Sequence, residues 1–156
     1  SISARFRRGS TFGTLLARTG DIVDLAQAVS DAGAIAHLAP LVSHSDKKLA
    51  RQICCALGQL VKHSLELAET ACEANIFPSV LFCMNSSDLS LAKNGAVCVR
   101  EVVKHSPELA NLVVNAGGAV SLVDYVSRTH SSNRLPGIVA LGYIAAFNET
   151  MSYAVI

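Results

Sequence analysis

The sequence predicts an all-α solenoid, built as a stack of similar helical repeats of about 42 residues each. Eight residues occur nearly unchanged at two places, VKHSLELA at Val61–Ala68 and VKHSPELA at Val103–Ala110. Leucine, alanine and glycine positions stay aligned when the whole chain is shifted by the same interval. Within each repeat, apolar residues recur at the three- and four-residue spacing that is typical of helices.

The repeat interval divides the chain into five segments. They are residues 1–20, 21–63, 64–105, 106–147 and 148–156. The first is predicted to be the last helix of a truncated preceding repeat, and its arginines form either a solvated helix face or a basic docking patch. The next three are full repeats. The last is the start of a truncated next repeat, so we expect the sequence to be a fragment of a longer array.

The first helix of each repeat is predicted to be short. Its aligned leucines are Leu25, Leu67 and Leu109. We expect Leu67 and Leu109 to be buried in corresponding places. The shared position after the helix holds Gly33, Asn75 and Gly117. Because these residue types accept the left-handed conformation that ends many helices, a sharp turn is predicted there.

The second segment of each repeat is an apolar run of about ten residues, IAHLAPLVSH in the first repeat. Its length alone also fits a buried strand. The spacing of Ile35, Leu38 and Val42 favours a helix, and Pro40 and Pro78 suit a helix start or a kink better than a central strand.

The third segment is predicted to be the longest helix, introduced by a turn with capping residues such as Asp46 and Asp88. In the first repeat it runs from about Lys47 to His63. Its apolar stripe consists of Leu49, Ile53, Ala56, Leu57 and Leu60. Small residues in the equivalent stripes of the other repeats permit close approach of neighbouring helices.

The composition favours a folded domain without a strong electrostatic preference. Hydrophobic residues make up 51% of the chain and charged residues 16%, and the net charge is +1. This balance gives no reason to expect a nucleic-acid or membrane partner. No apolar run approaches the roughly 18 residues of a membrane span, so a soluble protein of the cytosol or of a cytosol-facing structure is predicted.

Five cysteines lie within apolar helical patterns, and no two form a C-x-x-C pair. They are Cys54, Cys55, Cys72, Cys83 and Cys98. This spacing suits neither a zinc site nor a disulfide framework. We interpret them as small buried hydrophobic residues, with a redox role for Cys54 and Cys55 as the alternative. Adjacent cysteines on a helix point in different directions.

Two short motifs carry a family resemblance. AGAI at 32–35 and AGGA at 116–119 mark the turn, while ALGQL at 56–60 and ALGYI at 140–144 mark the long helix. This pattern is similar to the armadillo repeat. The resemblance implies a right-handed α-solenoid whose long helices line a concave groove.

Longer stretches, among them EANIFPSVL and NRLPGIVALGYIAA, resemble the sperm-associated-antigen-six family across residues 21–156. That resemblance implies a non-enzymatic scaffold of the ciliary and flagellar central apparatus, located in the cytoskeleton of the axoneme and supporting motility. The implied partners are other axonemal proteins, or tubulin in microtubules. An importin- or catenin-like adaptor that binds a peptide in the concave groove is the alternative.

The groove is the predicted protein-binding surface. Importin-type arrays clamp a peptide with Trp and Asn, but here the Asn position holds Gln59, Glu101 and Tyr143, and the chain contains no Trp. The candidate row consists of Gln52, Gln59, Lys62, Asn94, Glu101, Lys104 and Tyr143. These side chains are either a binding surface or only the solvated face of the long helices. Tyr143 is the strongest candidate anchor.

No catalytic, cofactor-binding or metal-ligating constellation is predicted, so the chain is not expected to be an enzyme. His63 and His105 lie in the last turn of a long helix, where an imidazole can cap free carbonyls. Histidines one repeat apart would be separated by about 10 Å, too far for one metal ion. Exposed repeat ends would allow self-association.

Overall fold

The computed structural model describes the backbone of residues 19–44 and 46–154, and the side chains of residues 24–43 and 46–147. The expectation for the four arginines of residues 1–18 lies outside the described residues. Ser45, which the sequence also predicts as a capping residue of the turn before the third helix, lies outside them too. Thr19 and Gly20 belong to the first described helix.

The described residues form nine α-helices and one 3-10 turn, and they contain no strand. The α-helices are α1 Thr19–Asp31, α2 Ala34–His44, α3 Lys47–Val61, α4 Leu65–Glu73, α5 Phe77–Met84, α6 Leu89–Val103, α7 Pro107–Asn115, α8 Gly118–Arg128 and α9 Leu135–Ala154. The 3-10 turn covers Ser131–Arg134. A first helix, a second helix and a long third helix thus follow one another three times.

The turn after each first helix adopts the predicted left-handed conformation. The φ angles are 90° at Gly33, 57° at Asn75 and 88° at Gly117. After Gly117 the chain doubles back tightly, since a Cβ on Gly118 would lie 2.3 Å from Cγ1 of Val113. The prediction of a sharp turn at this shared position is confirmed.

The repeated Lys-His-Ser stretch is a helix junction. The hydroxyl of Ser64 accepts a hydrogen bond from the amide of Leu67 at 3.1 Å, and that of Ser106 accepts one from Leu109 at 3.2 Å. Each serine therefore begins the first helix of the next repeat, because it satisfies an amide that has no partner within the helix. Asp46 and Asp88 begin the long helices α3 and α6 in the same way.

The core runs continuously through the repeats. Leu67 and Leu109 are both buried, as the aligned register predicts. The long helices α3 and α6 pack side by side, as do α6 and α9. Gly95 permits close packing against α5, because a Cβ there would lie only 3.1 Å from the carbonyl oxygen of Val80.

The predicted apolar stripe of α3 is wrong at one position. Leu49 is 48% exposed, whereas its counterpart Leu91 is 5% exposed. Leu91 belongs to α6, which packs against the long helix of the preceding repeat. Among the described residues, no long helix precedes α3 to cover Leu49 in the same way.

The last helix continues beyond the expected junction. α9 runs without a break to Ala154, although the long helix was expected to end near Phe147. The third repeat has Ala146, Phe147 and Asn148 where the others have Lys, His and Ser. It therefore lacks the serine that begins a new helix in the other repeats. The assignment of residues 148–156 to a further repeat stays a prediction.

No single helix in the described residues is both long and apolar enough to cross a membrane. Two bent pairs of consecutive helices meet the same length and composition test together. They are Asp24–Asp31 with Ala34–Ser43, bent by 72°, and Pro107–Asn115 with Gly118–Arg128, bent by 79°.

Candidate protein-binding groove

All seven candidate groove residues lie on the long helices or at their ends. Gln52, Gln59 and Tyr143 are exposed, Lys62, Asn94 and Lys104 are half-buried, and Glu101 is buried. Because α3, α6 and α9 pack in sequence, these residues form rows across neighbouring helices. Their availability to a partner differs from one residue to the next.

The row of Gln59, Glu101 and Tyr143 combines two available side chains with one that is already bound. Within the described part of the chain, no hydrogen bond engages the side chain of Gln59 or Tyr143. Tyr143 is 38% exposed. An exposed aromatic ring offers apolar area together with a polar hydroxyl, a combination that is common at protein interfaces.

Glu101 is held by two cationic neighbours. Its Oε1 accepts hydrogen bonds from Nη2 of Arg100 at 2.7 Å and Nε of Arg100 at 3.1 Å. Its Oε2 is paired with Nζ of Lys104. Burial raises the pKa of Glu101, but the hydrogen bonds and charges of Lys104 and Arg100 outweigh that effect and lower it. The carboxylate therefore stays ionised and serves to orient its neighbours.

Three cationic side chains, Lys62 among them, lie at one end of the candidate surface. Lys62, Arg100 and Lys104 carry three positive charges there, and Glu101 carries one negative charge. Burial lowers the pKa of His63 most, and the positive charges of Lys62 and Lys104 lower it further. The negative charge of Glu101 raises it, but by less. An added cation would be repelled here and an anion attracted.

Asn94 has an internal structural role. Its side-chain amide donates to the carbonyl of Arg51 at 3.0 Å, which joins α6 to α3. Arg51 also lies 3.7 Å from the carboxylate of Asp88. The sequence row grouped Asn94 with exposed positions, whereas the structure places it in contact between the first and second repeats.

His105 caps a helix, but it is the helix of the preceding repeat. Its Nε2 donates to the carbonyl of Val61 at 2.7 Å, and Val61 is the last residue of α3. A carbonyl at that point has no partner within its own helix, so the imidazole satisfies it. His105 thus caps a carbonyl as predicted, but one of the preceding long helix instead of its own, so it links two repeats. Within the described residues, the side chain of His63 makes no such bond.

Arg128 makes a similar link that sequence reasoning missed. Its guanidinium donates to the carbonyl of Met84, the last residue of α5, and to that of Ser86 at 3.1 Å. Asp124 accepts a further bond from it at 3.1 Å. Arg128 and Met84 are separated by 44 residues, which equals the separation of His105 and Val61. This shared spacing was the signal in the sequence that could have identified the link.

The cysteines behave mostly as packing residues. Cys54, Cys83 and Cys98 are buried, whereas Cys55 is exposed, as expected for adjacent positions on a helix. Burial raises the pKa of Cys98 to about 12. A hydrogen bond between Cys54 and Cys83 raises the pKa of the first thiol and lowers that of the second. In the part of the chain with described side chains, no group of three His, Cys, Asp or Glu residues could hold a metal ion.

Comparison with known proteins identifies the architecture. The model of the armadillo/beta-catenin-like repeat family matches residues 23–62, which cover nearly all of the first repeat. A designed armadillo repeat protein, solved in complex with the peptide (KR)4, superposes on 87% of this chain with a TM-score of 0.74 and 16% identity. The chain has the armadillo fold. The prediction of an armadillo-type α-solenoid is thus confirmed.

Two further structures are similar. A computationally designed armadillo repeat protein for modular peptide recognition covers 80% of the chain with a TM-score of 0.72 and 16% identity. An engineered protein covers 88% with a TM-score of 0.72 and 21% identity. The chain spans 56% to 59% of the length of these three structures. No curated protein sequence matches this chain at a significant level.

Proposed function

We propose that this armadillo chain is a non-enzymatic scaffold that binds other proteins through the groove lined by α3, α6 and α9. The observation that carries the proposal is the row across those helices, where Gln59 and Tyr143 are exposed and unbonded within the described residues. The similarity to armadillo proteins made for peptide recognition supports the use of such a surface for a polypeptide partner.

The charge at one end of the groove favours an acidic or neutral segment of the partner. Lys62, Arg100 and Lys104 lie there around Glu101 and His63. A similar structure was solved with the basic peptide (KR)4, but basic residues would be repelled at this position. This charge pattern argues against an importin-like adaptor for basic signals, and a catenin-like adaptor remains the second candidate.

The cellular setting that we propose is the axoneme of cilia and flagella. The support is the resemblance of residues 21–156 to the sperm-associated-antigen-six family, in particular the stretch NRLPGIVALGYIAA that begins α9. In this setting the scaffold belongs to the cytoskeleton of the central apparatus and supports motility. Its partners are other axonemal proteins or tubulin in microtubules.

Co-sedimentation with isolated axonemes and with purified microtubules tests this proposal. Tyr143→Ala should weaken binding about tenfold or more, because it removes an anchor side chain from the interface. Val120→Ala is the control, because Val120 is exposed to solvent on α8, even more than Tyr143, and lies outside the groove. Tight binding to (KR)4 together with no retention by axonemes or microtubules would contradict both the setting and the charge argument.

A further inference from the structure

Two buried thiols from different repeats meet in the core. Cys54 lies on α3 in the first repeat and Cys83 on α5 in the second, and both side chains are buried. The thiol of Cys54 donates a hydrogen bond to the sulfur of Cys83. Cys55 is exposed, because adjacent residues of a helix point in different directions. The thiol that Cys54 can react with is therefore that of Cys83 and not that of Cys55.

The hydrogen bond makes the two thiols unequal. It lowers the pKa of Cys83 by more than burial raises it. The same bond raises the pKa of Cys54, and burial raises it further. Cys83 is thus the member of the pair that ionises, while Cys54 keeps its proton. Because the thiolate is the nucleophilic form of cysteine, Cys83 is the reactive member.

A cavity between the first and second repeats reaches Cys83. Its volume is about 340 Å³, and residues from the end of α2, the start of α3 and the end of α5 line it, Cys83 among them. Lys47 and Phe82 also line the cavity and are exposed, so it opens to solvent. A water molecule takes up about 30 Å³ of the liquid, so a solute as small as hydrogen peroxide fits. Cys54 does not line the cavity and lies behind Cys83.

Packing of the repeats does not require this thiol pair. In the register of the repeat, Cys54 and Cys83 correspond to Ala96 and Tyr125 at the next interface. Ala96 and Tyr125 are both fully buried, so the second and third repeats stack there without a thiol. The pair is a particular feature of the first interface.

We propose that Cys54 and Cys83 are a peroxide-reactive thiol pair that closes to a disulfide between the first and second repeats. The Cys83 thiolate attacks one oxygen of hydrogen peroxide, so that an S–O bond forms while the O–O bond breaks. The products are the sulfenic acid of Cys83 and hydroxide, which takes up the proton that the Cys83 thiol released.

Cys54 then resolves the sulfenic acid. Its sulfur attacks the sulfur of Cys83, the S–S bond forms as the S–O bond breaks, and the hydroxyl group leaves as water with the Cys54 proton. In sum, two thiols lose two electrons and one hydrogen peroxide is reduced to two water molecules. The reaction does not depend on the groove as a binding surface.

Disulfide mapping of the Cys55→Ser chain tests the proposal. This background removes the exposed thiol, which lies on the same tryptic peptide as Cys54. The reduced chain is treated with equimolar hydrogen peroxide, free thiols are alkylated in denaturant, and digests are analysed by tandem mass spectrometry. The main product should link Cys54 to Cys83.

Cys98 is the internal reference, since it is buried and its pKa is raised to about 12. Cys83 should lose its free thiol about tenfold or more faster than Cys98. Equal rates, or a main disulfide that contains Cys72 or Cys98, would overturn the assignment.

Variants of the Cys55→Ser chain separate the two roles. Cys54→Ser keeps a hydrogen-bond donor beside Cys83 but cannot form the disulfide, so the sulfenic acid of Cys83 should accumulate and be trapped by dimedone. Cys83→Ala should leave Cys54 unreactive, and Cys72→Ala, at a half-buried cysteine outside the pair, should leave the disulfide intact. Circular dichroism verifies the fold of each variant. Trapping on Cys54 in the Cys83→Ala chain, or no trapping in a folded Cys54→Ser chain, refutes the roles.

Discussion

At the scale of single residues, His105 and Arg128 join consecutive repeats by the same kind of hydrogen bond. Each donates to the last carbonyl of a helix that lies 44 residues earlier in the chain. A cationic or polar side chain near the end of one helix thus completes the end of its counterpart in the preceding repeat. Neither bond is local, so each contributes to the stacking of repeats.

Arg128→Ala is expected to lower the free energy of unfolding by about 1.5 to 3 kcal/mol, because the last carbonyl of α5 and the carbonyl of Ser86 lose a charged donor. Chemical denaturation monitored by circular dichroism measures the change. Lys48→Ala removes an exposed cation from the start of α3 and should change stability by less than about 0.5 kcal/mol. Equal effects of the two substitutions would mean that Arg128 contributes no link between repeats.

His63 should make the chain less stable in mild acid. Burial and the charges of Lys62 and Lys104 hold its pKa below the ordinary value of 6.5. The unfolded chain therefore binds the proton more readily, and the free energy of unfolding falls as the pH drops below 6.5 towards the lower pKa of the folded state.

Denaturation series between about pH 7.5 and 5.5 measure this decline. Glu101 also has a lowered pKa, but it acts at more acidic pH, around and below its ordinary value of 4.5. His63→Gln should flatten the curve in the measured range, and His37→Gln, on the exposed side of α2, should retain the decline. A curve that stays unchanged after His63→Gln would show that other groups cause it.

At the scale of elements, each repeat is defined by features that its own residues determine. The serine caps before α4 and α7, the left-handed turns and the buried leucines recur at the same interval. These are local signals in the sequence, and repetition reinforces each of them. The helix order and the burial of Leu109 were therefore predictable.

Leu109→Ala should cost about 2 to 5 kcal/mol, because a buried leucine is truncated and its cavity is not refilled. Leu112→Ala provides a control within the same helix, since Leu112 is 49% exposed. Thermal or urea unfolding of both variants tests the difference. A similar loss at the two positions would contradict the register of the repeat.

At the scale of the whole molecule, function depends on pairings between repeats that the sequence does not display. Glu101 had the appearance of an exposed groove residue, but its two cationic partners hold it in a buried position. Asn94 had the same appearance, but it bonds to Arg51 of the preceding repeat. Sequence spacing predicted which residues lie in the candidate row. It could not predict which of them are buried by contacts with a neighbouring repeat, because that depends on how the repeats stack.

The cationic side chains near Lys62 give a prediction about the partner. Lys62→Glu should weaken binding of an acidic peptide severalfold at low salt, and the difference should shrink as salt screens the charges over about 8 Å. Lys48→Glu makes the same charge change on an exposed position at the start of α3. Isothermal titration at two salt concentrations measures the affinity of each variant for the acidic peptide. An equal loss of affinity in both variants would show that the charges near Lys62 are not the cause.

The bonds between repeats lie on opposite sides of the array at its two interfaces. The first interface is joined along the long helices, by Asn94 and His105. In the second, the same positions hold Pro136 and Phe147, whose side chains cannot donate, and Arg128 joins the second helices instead. A load that bends the array would therefore meet these hydrogen bonds along the long helices at the first interface and along the second helices at the second.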